Sequence, residues 1–173
     1  VPASRAPGAG RGNAARGCRA RRTGYVVAVP PDEPAGPGAL PPGPVRRFPF
    51  RFDPAFRLPL ALLGVRPATA WLDWGPDALV VRFGPWLLRT TPGNVTGAEL
   101  SGPYRWWRAI GPHLSAADGG VSFGASVAGG VCLRFAEPVP ALVPGPWLRH
   151  PAVTVTVADP AAVRDALARG PDL

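Results

Sequence analysis

From Arg46 onward the chain alternates between apolar and polar positions. Phe48, Phe50 and Phe52 alternate with Pro49 and Arg51, which predicts an edge strand, the place where a proline without an N–H is tolerated. Ala70, Leu72 and Trp74 alternate with Trp71 and Asp73, and Leu79, Val81 and Phe83 alternate with Val80 and Arg82. Gly75-Pro76-Asp77 and Gly84-Pro85 supply turn residues after each run. Further strands are predicted over Trp86–Thr91 and Val95–Leu100, with a hairpin of Val121–Ser126 and Val131–Phe135 around Ala128-Gly129-Gly130. Ser101–Gly120 reads as a long aromatic loop, and Glu137–Pro151 as a proline-rich crossing. Val153, Val155 and Val157, set against Thr154 and Thr156, predict a last strand with one buried face.

The period then changes. Asp159 stands at an N-cap and Pro160 at the first helical position, where a missing N–H costs nothing. Val163 and Leu167 follow at i, i+4 beside Ala162 and Ala166, and Gly170-Pro171 stops the helix. A helix of about 159–169 needs a sheet to lie on. About seven short strands followed by one helix predict a mostly β fold. Its expected form is a small barrel, or a strongly bent antiparallel sheet, plugged by the helix.

That order resembles the pleckstrin-homology-like superfold, and Thr154-Val-Thr-Val-Ala-Asp-Pro160 with its alanine-rich helix looks like the last strand and helix of bacterial members. Phe83-Gly-Pro-Trp86, Gly102-Pro-Tyr104 and Gly130-Val-Cys-Leu-Arg-Phe135 together resemble a family of uncharacterised actinobacterial proteins. The resemblance spans roughly Phe48–Ala168 and implies a fold without an activity. The first hairpin turn, Asp73-Trp-Gly-Pro-Asp77, is acidic, so phosphoinositide binding at basic residues of that turn is not carried over.

Composition divides the chain into a tail, residues 1–45, and one domain, residues 46–173. Residues 1–44 hold nine Pro and eight Gly with almost no large apolar side chain, which predicts disorder. All 19 cations are arginine, with no lysine, methionine or glutamine and Ile110 as the one isoleucine, the mark of a GC-rich coding bias. Val1 reads either as an alternative start codon or as the edge of a fragment. The net charge of +8 divides into +6 for residues 1–47 (eight Arg, Asp32 and Glu33) and +2 for residues 48–173 (eleven Arg, nine acids). The high pI therefore belongs mostly to the tail, whose Gly8-Ala-Gly-Arg-Gly12 tract suits weak polyanion binding. Cys18 and Cys132 are too few for a disulfide framework and predict a reduced, cytoplasmic setting. The apolar run Leu58–Val65 is too short to span a membrane and contains Pro59 and Gly64.

Little of this points to catalysis. Gly120-Val-Ser122-Phe-Gly124 matches G-x-S-x-G, and Glu137 and His150 follow in hydrolase order, but the motif needs a strand-to-helix elbow in a large parallel sheet. The expected role of Ser122 is an outward strand residue, and a serine hydrolase is the least favoured reading. His113 and His150 lack metal-ligand spacing, so neither a metal nor a cofactor is expected. Asn94-Val-Thr96 matches a glycosylation acceptor and is set aside. The unusual stretch is Tyr104-Arg105-Trp106-Trp107-Arg108. Adjacent tryptophans point apart in regular structure, so one ring is expected in the core and one half-exposed as an interface anchor. The favoured arrangement has both covering the open end of the barrel, with the arginines snorkelling. Arg82, Arg89 and Arg134 are expected to share an outer sheet face with Thr154 and Thr156, a solvated surface first and a candidate weak anionic-ligand site second. The function these features predict is a non-catalytic binding or scaffolding module, taking a protein partner through the aromatic loop or a sheet edge. Nucleic-acid or anionic-membrane association through the tail is the alternative.

Overall fold

In a computed structural model of the chain, the described residues are 44–115, 119–142 and 148–171. The first four runs of alternation form an antiparallel meander: β1 (Arg46–Pro49), β2 (Ala70–Trp74), β3 (Leu79–Phe83) and β4 (Trp86–Thr90), in that spatial order. Ala70, Leu72, Trp74, Leu79, Val81 and Phe83 are buried, and Trp71, Asp73, Val80 and Arg82 face outward. Between β1 and β2 lies an unexpected short helix, α1 (Arg57–Leu62), with 3-10 turns at Pro54–Phe56 and Pro67–Thr69. Pro59 falls within the first turn of α1, where no N–H is needed. Gly84, at φ 61°, makes the β3–β4 turn, and a Cβ there would come within 2.8 Å of Val65 Cγ2.

The second sheet is β5 (Val95–Ser101), β6 (Gly111–Leu114), β7 (Val121–Gly124), β8 (Gly130–Pro140) and β9 (Arg149–Val155), ordered β5-β8-β9-β7-β6. Four expectations are corrected here. Val121–Ser126 and Val131–Phe135 do not form a hairpin, because β9 lies between β7 and β8. The described residues carry nine strands rather than about seven. β6 arises inside the segment read as loop, while β8 and β9 run into the segment read as a crossing. The ladder skips from Arg134↔Ala152 to Val139↔His150, so Pro138 and Pro151 fall in the irregular interval and cost no ladder bond. β7 and β9 pair in parallel, so the sheet is mixed, not purely antiparallel.

Nor do the two sheets close into a barrel. They are stitched at one corner by the Phe50↔Val157 bridge, where Arg51 N–H donates to Thr156 O and Ala158 N–H to Pro49 O, both at 2.9 Å. On the other side the 3-10 turn Pro92–Asn94 leads the chain from β4 into β5, which pairs with β8 and not with β4. The Asn94 amide fixes this turn by accepting from Glu137 N–H and donating to Glu137 O. Stacked between the sheets, the Phe83 ring lies 5.2 Å from Phe50 and 5.4 Å from Phe123. Burying one such side chain contributes roughly 1.5–3 kcal/mol.

The helix α2 (Pro160–Arg169) is where the sequence puts it, with Asp159 Oδ1 accepting from Ala162 N–H at 2.9 Å. Its buried residues are Val163 and Ala166, while Leu167 is only half-buried. Two further residues depart from expectation. Thr156 is buried, its hydroxyl accepting from Ala125 N–H at 2.8 Å. Cys132 is disulfide-bonded rather than reduced. The expected disorder of residues 1–45 lies, except for its last two residues, outside the described residues.

Candidate functional site

The aromatic stretch forms a ledge over the end of β7. Arg105 is extended, Trp106–Arg108 makes a single 3-10 turn, and Ala109 and Ile110 return bonds to Trp106 O at 3.2 and 3.1 Å. Ala109 is buried and Ile110 packs on the core. The sequence permits this close seating because the strand beneath has Gly124, where any Cβ would collide with the Ala109 carbonyl. Tyr104 N–H donates to Val127 O at 2.9 Å, and the Tyr104 hydroxyl hydrogen-bonds the Ser101 hydroxyl. Burial raises the Tyr104 pKa above its ordinary value, partly offset by the Ser101 bond.

The ledge is gripped from below. Asp53 Oδ1 accepts from the buried Ser126 hydroxyl and Asp53 Oδ2 from Val127 N–H, both at 2.8 Å, while Asp53 N–H donates to Ala125 O. One carboxylate thus ties the start of α1 to the β7–β8 turn, and that turn holds Tyr104. On this support both indoles stand in solvent, Trp106 at 59% and Trp107 at 56% exposure. Neither enters the core and there is no barrel mouth to cover, which corrects both expectations for the pair. The rings meet edge to face at 5.8 Å, and the Arg105 guanidinium lies 5.2 Å from the Trp107 centroid. This gives an amphipathic edge of two exposed indoles with a cation beside one of them.

The predicted arginine face separates into two. Arg82 and Arg89 lie diagonally on the outer face of the first sheet, opposite Leu87 and Val80. Beside them Trp71 is flanked by Arg47 at 4.6 Å and Arg82 at 5.5 Å, and Arg47 is held by Asp73 through two 2.7 Å bonds. Arg134 is on the second sheet, its Nη2 reaching both Glu99 oxygens at 3.0 Å. The five residues Arg82, Arg89, Arg134, Thr154 and Thr156 therefore do not form one surface.

Ser122 lies mid-strand in β7, between His113 of β6 and Thr154 of β9, not at an elbow. His150 is on β9 opposite Val139, buried, with Nδ1 3.1 Å from Gly119 O. The structure thus sets His113, not His150, beside Ser122, and no hydrogen bond joins them among the described residues. The tail that carries the polyanion reading lies outside the described residues. Missed by sequence reasoning was the Asp53 clamp, whose only signal was an acid beside Pro54 after an edge strand. Comparison of the chain with protein-family models, curated proteins and solved structures finds no match in any of the three.

Proposed function

We propose that this protein is a non-catalytic binding module that takes a protein partner through the Trp106–Trp107 ledge. The observation that carries the reading is the double exposure of two adjacent indoles on a turn fixed by Asp53, Tyr104 and Gly124. A small domain gains most by burying tryptophan, and two held in water by a built support are what an interface anchor requires. Pre-organisation lowers the ordering cost that binding would otherwise incur. The mid-strand setting of Ser122 favours this reading over hydrolysis.

The test is capture with the full chain beside the Trp106→Ser/Trp107→Ser variant. A specific partner should be retained by the former and lost by the latter, both proteins having equal urea midpoints. Retention of the same partners by both would reject the ledge as the binding surface.

A further inference from the structure

The short helix α1 presents a second apolar surface. It buries only Leu60; Leu58 and Leu62, one turn apart on the same side, are 73% and 82% exposed, and Leu63 is exposed beside them. The helix leads into Gly64, where a Cβ would meet Pro85 Cδ at 3.8 Å. Two residues beyond, Leu87 is exposed on the outer face of β4. These leucines make a ridge running from α1 to the β3–β4 turn. Side chains this exposed stand clear of their neighbours, so the surface is a projection and not a groove that would seat a helix or strand.

The rim of this ridge is cationic. Arg57 and Arg66 bracket α1, Arg82 is the cross-strand partner of Leu87, and Arg89 lies two residues further along the same face. None of the four has a carboxylate partner among the described residues. The nearest acids are engaged: Asp53 with Ser126 and Val127, Asp73 with Arg47. Asp77 lies at the opposite end of the β2–β3 hairpin. Neither this chain's own residues 1–43, with six Arg against two acids, nor a second copy at net +8 complements such a rim. An apolar projection ringed by arginines without a described carboxylate partner matches the boundary between acyl chains and anionic headgroups.

We infer that the α1 ridge docks on an anionic lipid bilayer, Leu58, Leu62 and Leu63 entering the interface and the four arginines meeting headgroup phosphates. No described helix is long and apolar enough to cross a membrane.

The test is flotation of the full chain with vesicles of phosphatidylcholine alone or with about one-third phosphatidylglycerol, the range in which each surface arginine contributes appreciably. The full chain should float with anionic vesicles and not with neutral ones. Leu58→Asn/Leu62→Asn/Leu63→Asn should weaken partitioning roughly tenfold or more, since affinity scales with the apolar area inserted. Arg57→Gln/Arg89→Gln should weaken it and flatten its salt dependence, while the Trp106→Ser/Trp107→Ser variant floats normally. Because all the substituted side chains are exposed, equal urea midpoints confirm that the variants are folded. Unchanged flotation of the triple-leucine variant would assign membrane binding to residues 1–43 and overturn the inference. So would a wild-type chain that stays unbound, or one that floats equally with neutral vesicles.

Discussion

Asp53 shows how much one side chain decides in a domain this small. Its two carboxylate oxygens accept from a buried hydroxyl and from a turn N–H. Asp53→Ala should therefore cost about 2–4 kcal/mol in urea unfolding, the penalty for stranding both donors. Gly124→Ala should cost at least about 2 kcal/mol, because the new methyl displaces the Ala109 backbone that seats the ledge. Tyr104 gives a pH signature. Burial raises its pKa, so the folded state holds the phenolic proton more tightly than the unfolded chain. Its contribution is complete below the unfolded value of about 10 and is lost as pH rises beyond it. Urea midpoints should fall as pH rises above about 10 for the wild type, and Tyr104→Phe should flatten that part of the curve.

At the scale of elements, α2 was legible because cap, first-turn proline and terminal glycine agree. Its facing was not, since Val163, Ala166 and Leu167 all fit one stripe and packing decides among them. The structure sets an order of cost: Val163→Ala about 2 kcal/mol, then Asp159→Ala and Leu167→Ala about 1 kcal/mol each. Arg164→Ala, which breaks only an exposed pair with Asp165, should cost under roughly 0.5 kcal/mol. Equal effects of Val163→Ala and Arg164→Ala in urea unfolding would mean the helix does not pack as described. The meander strands were legible through their period of two. The same signal failed for β6, whose Gly111-Pro112 start reads as a turn, and for the ends of β8 and β9, where prolines hide strands that a register shift accommodates. α1 was hidden by Pro59 and by an apolar stretch with no polar face to give it a period. Sheet closure is set by long-range pairing, on which local alternation is silent.

At the scale of the molecule, six of the nine exposed large apolar side chains among the described residues lie on two features, the Trp106–Trp107 ledge and the α1 ridge. Asp53, in the segment between β1 and α1, also bonds the β7–β8 turn that holds Tyr104. The described tryptophans differ in setting: Trp74 is buried, Trp86 is half-buried, Trp71 lies among the arginines of the first sheet, and Trp106 and Trp107 stand in water. The sequence located the aromatic stretch but not its exposure, because whether adjacent rings enter a core depends on whether the sheets leave a mouth to fill. The most direct measurement is fluorine NMR of the full chain labelled with 5-fluorotryptophan, its resonances assigned by single Trp→Phe variants, before and after addition of the captured partner. The two resonances of Trp106 and Trp107 should show the largest solvent-isotope shifts in the free protein and should be the ones that move on binding. Resonances of Trp106 and Trp107 that stay fixed while that of Trp71 moves would contradict the account and transfer the binding surface to the arginine face of the first sheet.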